Sequence, residues 1–326
     1  MAIFNNTVLE ESNVEFEYDI HGIEPTMECA QNILYEFNAG VTNTISALYV
    51  ADIMIESAVS EGVDNVETLV EGTVGDALTK AKEYFKDFIN KVKAWFKRII
   101  TNIQDNSKRI NAFVKKNETK IMNKVATNEQ ISSDNRYVIM RRELELEYKK
   151  EPPKVRFEKF TKEYNKYIHE LNQCVLKGES PNKDEIDDLN NKVMSLKTDF
   201  EKDISNDGRD PFDVKGRITV DKSMVETSVT ECKNAINTIN EIKIYEKTVM
   251  NSLETCIDMI KKMENSNSIK SEYTIKLIPI YKKLTSELFN ITTQVILAQN
   301  RYITTHFVFL KKFLETNLTE NIKTFD

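Results

Sequence analysis

From Ala77 to Ile103 the chain reads ALTKAKEYFKDFINKVKAWFKRIITNI, with apolar residues returning every three or four positions and no Gly or Pro. At about 100° per residue, Leu78, Ala81, Phe85, Phe88, Ile89, Val92, Trp95, Phe96, Ile99, Ile100 and Ile103 fall within an arc of roughly 140°. The pattern predicts an amphipathic helix of roughly 40 Å, at about 1.5 Å per residue. Asp76 is placed to cap its start, and the basic far end suits the helix dipole.

The same period runs through most of the chain. Residues 1–23 carry no clear pattern. Residues 26–60 read as two helices, the first entered by Thr26 with Glu28 just inside, and separated by Gly40. Gly62, Gly72 and Gly75 make residues 61–75 the best candidate hinge. Residues 104–130 continue in helical style. Residues 131–153, with YVIMRRELELEY at their centre, fit either strand or helix and end at Pro152 and Pro153. Helices are expected over 154–177 and 183–205, then a break over 206–221 that holds a short hairpin or extended turn. Two long helices follow, over 222–264 and 270–316, with Pro279 expected to kink or divide the second.

Composition agrees. Eight Gly and six Pro in 326 residues are too few for a turn-rich β fold. The expectation is an all-α protein: an elongated helical bundle with long helices and a separate acidic N-terminal helical segment. Its parts would be an acidic segment over 1–75, a basic amphipathic helix and continuation over 76–130, and a bundle over 131–326.

Charge sharpens that division. Residues 1–79 hold fifteen carboxylates and no Lys or Arg, so the rest of the chain carries all 45 cations against 37 carboxylates. Such asymmetry marks either a solvated acidic subdomain or an acidic arm that contacts a basic surface.

Catalytic signals are weak. Cys29, Cys174, Cys232 and Cys256 show no C-x-x-C spacing, and His21, His169 and His306 lie far apart. Scattered cysteines read as free thiols in a reducing compartment. No phosphate-binding glycine loop or nucleophile elbow occurs. The runs 142–148 and 185–188 read as solvated acidic faces, and His306 as packed within a helix. The expectation is no enzyme, no cofactor and no metal. No run reaches about 18 uninterrupted apolar residues, and the first residues lack a secretory pattern, so the cytoplasm of the producing cell is the expected location.

The helix over 77–103 offers the one candidate contact surface. Lys80, Lys91 and Arg98 line one border of the apolar arc; Lys82, Lys86, Lys93 and Lys97 line the other; Glu83 and Asp87 hold the opposite pole. In a bilayer interface, Phe85, Phe88, Ile89, Val92, Trp95, Phe96 and Ile99 would bury among acyl chains while border lysines reach the phosphates. Against other helices, the same arc is a core face with a charged rim. Nucleic acid is the least favoured partner, because no recognition pattern accompanies the basic residues.

Residues 55–103 resemble segments of virion proteins of large tailed bacteriophages, in which an acidic region and an "EG" junction precede a Lys- and Phe-rich helix. The junctions here are VSEG (59–62) and LVEG (69–72). Leu69, Val70 and Glu71 match a Leu-x-Glu motif cut by head-maturation proteases of such phages, which implies cleavage before Gly72. The resemblance implies a structural virion-associated protein with protein partners, incorporated into a particle. A peripheral membrane protein without a virion role is the alternative, and an enzyme with a non-local site the third reading.

Overall fold

The computed structural model describes residues 20–60, 66–127, 131–133, 152–177, 218–265 and 271–315, with helical residues also at 141–142, 145–146, 148–150, 188 and 191. The chain is an all-α helical bundle, with one minimal β-ladder among the described residues. In order it forms α1 (Ile20–Ser60), α2 (Val66–Thr127), β1 (Ile131–Ser133), α3 (Pro153–Lys177), β2 (Ile218–Val220), α4 (Lys222–Asn234), α5 (Asn237–Asn265) and α6 (Ser271–Glu315).

α6 is the spine. Between residues 277 and 315 only Leu297 and Glu315 are exposed. A helix buried on nearly all sides must satisfy its own polar groups, and it does so locally. Thr292 Oγ1 donates to the Leu288 carbonyl at 2.6 Å, and Thr305 Oγ1 to that of Arg301 at 2.8 Å. α1, α2, α3, α4 and α5 all pack against α6.

Two apolar cores lie along it. The larger joins α1, the first part of α2, α3, α5 and α6 as far as Ile296. The smaller joins the latter part of α2, Val220, α4 and α6 from Tyr302. The three segments expected as separate parts therefore share cores: the acidic N-terminal helix contributes Ala30, Ile33, Leu34, Phe37 and Val41 to the first.

Several expected boundaries move. α1 runs through Gly40 without a break. The roughly 1 kcal/mol that Gly costs within a helix is offset by the buried neighbours Phe37, Val41 and Thr44, and the bare backbone lets the Tyr84 ring of α2 lie against it. α2 likewise runs through Gly72 and Gly75, so the expected hinge is helical from Val66 onward, and Asp76 lies inside the helix, not at its cap. α6 continues through Pro279, held by buried Ile278, Ile280 and Tyr281 on either side. The helix expected over 222–264 is instead two. Ala235 and Ile236 form a tight turn in which Ala235 N–H reaches the Cys232 carbonyl and Thr238 N–H reaches that of Ala235. Ser107 Oγ on α2 also donates to the Ala235 carbonyl, at 3.2 Å.

The ambiguous region divides. Ile131–Ser133 is extended and pairs antiparallel with Ile218–Val220, matching Ile131 to Val220 and Ser133 to Ile218. The described residues from 141 to 150 are helical, and Pro153 opens α3, where a missing N–H costs nothing. Asp221 caps α4, its Oδ1 accepting the Met224 N–H at 2.8 Å. Most of residues 1–19, 183–205, 206–217 and the expected turn at 266–268 lie outside the described residues.

The two helical glycines predict opposite outcomes. A Cβ at Gly75 meets nothing within 4 Å, so Gly75→Ala should stabilise by up to about 1 kcal/mol. A Cβ at Gly40 collides with the Tyr84 ring, so Gly40→Ala should gain less or lose. Combined with Tyr84→Ala, it should recover the gain seen at residue 75. Urea unfolding of the four variants measures both.

Candidate functional site

The expected contact face of α2 lies inside the protein. Phe85, Phe88, Val92, Trp95, Phe96 and Ile99 are almost wholly buried, and Ile89 nearly so. Phe37 of α1 stacks on Phe88 with ring centres 4.2 Å apart and meets Phe85 edge-on at 4.9 Å. Phe289 of α6 meets Phe88 edge-on at 5.6 Å and Trp95 at 5.1 Å. The indole N–H of Trp95, 2 % exposed, donates to the Thr26 carbonyl of α1 at 2.7 Å. Asn102 Nδ2 donates to Thr26 Oγ1 at 3.0 Å. Thr26, expected as a cap, is thus a buried anchor. In this fold the aromatic residues are core side chains, and neither a bilayer nor a partner reaches them.

The border cations remain outside or at the rim. Lys80, Lys93 and Arg98 are exposed, and Lys82 is half-buried. Lys91 bridges the two helices, with its Nζ 2.6 Å from Glu36 of α1 and 2.8 Å from Asp87 of α2; hydrogen bonds to Asp87 and Glu36 raise its pKa. α1 thus meets α2 through its apolar face, with Lys91–Glu36 as a described ion pair between the two helices. Leu69, Glu71 and Gly72, the residues of the processing motif, lie within the helical backbone of α2.

A second constellation was not legible as a site. Arg141 and Glu145, one helical turn apart, are 2 % and 8 % exposed, with Arg141 Nη1 2.6 Å from Glu145 Oε2. Lys149, one turn further, reaches Glu145 Oε1 at 2.7 Å. Arg141 Nε donates to Ser228 Oγ of α4 at 3.1 Å, and His306 Nδ1 of α6 lies 3.0 Å from the same oxygen. Ser228 gives its own proton to the Met224 carbonyl at 2.9 Å. It therefore accepts from both neighbours, and His306 is the tautomer with hydrogen on Nδ1. Tyr148 stacks on Tyr302 with ring centres 3.8 Å apart, and Tyr302 meets the His306 ring edge-on at 4.5 Å. Arg141 also lies over the Phe309 ring at 5.6 Å. One signal was available: the spacing of Arg141, Glu145 and Lys149 lets each reach the next. Their burial was not readable, because it depends on α4 and α6 closing over them.

The electrostatics follow from that burial. Loss of water, with the positive charges of Arg141 and Lys149, pulls the His306 pKa down to about 3, so the imidazole is neutral. Burial lowers the Arg141 pKa, against the opposing pull of Glu145. Glu231, half-buried beside the cluster, is raised by burial and by Glu145. Ser228 is not an activated nucleophile here: its proton points to a carbonyl, and His306 donates to it. The Cys256 thiol is pushed up to about 12 by burial, and Cys232 is raised also, so neither is a ready thiolate. Among the described residues no cluster of His, Cys, Asp or Glu is arranged to hold a metal ion, and no helix is long and apolar enough to cross a membrane.

Comparison with protein-family models, curated proteins and solved structures returns no match.

The cluster ranks its own members. Glu145→Ala leaves the Arg141 cation buried without its carboxylate, so it should cost about 3–5 kcal/mol in chemical denaturation. Lys149→Ala removes a partner that is 69 % exposed and should cost under about 1 kcal/mol. Equal costs would contradict the assignment.

Proposed function

We propose that the protein is a non-catalytic structural and interaction protein, a component of a virion of the large tailed-phage type, whose acidic N-terminal helix covers a contact face on α2. The observation that supports this most is the α1–α2 contact. The helix from the region without Lys or Arg lies on the aromatic face of the most basic helix, held by the Phe37–Phe88 stack, the Trp95–Thr26 hydrogen bond and the Lys91–Glu36 pair. Loss of residues 1–71 would uncover the sides of Phe85, Phe88 and Trp95 that face α1, beside their border lysines. That is the combination suited to a neighbouring subunit in a particle, or to an anionic membrane surface during genome delivery.

The helical state of Leu69–Gly72 bears on how processing would occur. A protease takes its substrate extended, so the first turns of α2 must open before cleavage. Gly72 and Gly75 make that opening cheaper by lowering local helix propensity.

The test is the mass of the chain in purified particles compared with the chain in the producing cells. Full-length protein in cells and a chain beginning at Gly72 in particles is the expected result. Only full-length chain in particles would remove the processing step, and absence from particles would remove the virion role.

A further inference from the structure

We propose that the cluster of Arg141, Glu145, Ser228 and His306 is an acid-opened latch: a proton taken up by His306 releases Arg141, Glu145, Tyr148 and Lys149 from α4 and α6 while the core around Trp95 stays closed.

Ser228 Oγ has spent its proton on the Met224 carbonyl and accepts from Arg141 Nε and His306 Nδ1. His306 Nε2 is buried without a hydrogen-bond partner, and so is Arg141 Nη2. A proton arriving on His306 must go to Nε2, which no acceptor faces among the described residues. The product is an imidazolium that shares one serine oxygen with a guanidinium, both out of water.

Among the described residues, the surrounding charges do not compensate. From the 141–150 turns come Arg141, Glu145, Tyr148 and Lys149; from α4 come Glu231 and Cys232, with Asp221 at its cap; from α6 itself comes Tyr302. Glu145 is the buried carboxylate, and Arg141 and Lys149 already share it. Glu231 is held toward its neutral form by burial and by Glu145. Relief comes most cheaply by moving Arg141 away and letting water reach His306. The side that moves is the 141–150 side, because Ser228 and His306 belong to α4 and α6, which pack directly on one another. The latch lies in the smaller core, whereas Trp95 lies in the larger, so one can open without the other.

The sign is fixed by linkage. The closed latch resists protonation, with His306 at about 3, while an opened latch returns it to about 6.5. The closed state is therefore fully favoured above about pH 6.5 and loses ground progressively as pH falls toward 3. The opening equilibrium should rise about tenfold per pH unit below 6.5, or roughly a hundredfold between pH 7.5 and 4.5. Glu231, whose pKa is raised in the closed state, works in the opposite sense as it protonates and trims the increase.

Hydrogen exchange of the full chain, corrected for the intrinsic pH dependence of exchange, tests the latch. The expected result is a large acid-driven loss of protection in peptides covering 141–150, with little change in peptides covering 85–99. His306→Asn keeps a donor toward Ser228 but removes the titrating group, so its 141–150 peptides should lose little protection at pH 4.5. Trp95 emission reports whether that variant has folded. Joint loss of both regions in the wild type would overturn the proposal without need of the variant. So would acid opening that persists in folded His306→Asn.

Discussion

Trp95 carries the one polar atom on an otherwise apolar face, and the structure depends on how that atom is satisfied. An indole N–H out of water costs free energy unless an acceptor meets it. The acceptor is the Thr26 carbonyl, so α1 is docked at a fixed height along α2. Phe37 then reaches Phe85 and Phe88, Glu36 reaches Lys91, and Gly40 passes under Tyr84. Phe289 closes the face from the other side, which ties the α1–α2 pair to the spine formed by α6. The direct hydrogen bond contributes only about 1 kcal/mol, but the register it fixes buries the aromatic rings of three helices.

That geometry answers the charge segregation of the chain. A carboxylate-rich helix without a single cation is a poor partner for itself and a good one for α2. The link is sparse, with Lys91–Glu36 as the described ion pair between them, and both groups are substantially exposed. Exposed pairs contribute about 0–1 kcal/mol. The pair therefore adds little, and apolar contact holds the two helices together. α1 contributes five well-buried apolar residues to the core while Tyr35, Tyr49, Val50 and Ile53 stay exposed. It packs on α6 as well as on α2, with Ser286 Oγ donating to Asn38 Oδ1 at 2.9 Å and Lys282 Nζ to Thr42 Oγ1 at 2.8 Å.

The helical class was legible because periodicity and scarce Gly and Pro report local geometry. The face of α2 was legible as a face, with every apolar residue of the wheel on the correct side. What covers it was not, because a core face and a membrane face share one pattern until the neighbouring helices are placed. Gly40 and Pro279 misled because local propensity of about 1–3 kcal/mol per residue yields to the buried residues on each side; Gly72 and Gly75 are likewise carried within one continuous helix. Ala235 shows the converse, since a sequence with no breaker turns there. The Arg141–Glu145–Ser228–His306 cluster was hidden most deeply, because its members come from three parts of the chain.

The central claim is that the aromatic face of α2 is an interior surface covered by α1. Emission of the single tryptophan tests it most directly, recorded for the full-length chain before and after addition of anionic vesicles. A blue-shifted maximum that lipid leaves unchanged is the result this structure predicts. A red maximum that shifts to the blue when vesicles are added would mean that Trp95 faces solvent and seeks a bilayer, and would contradict the account.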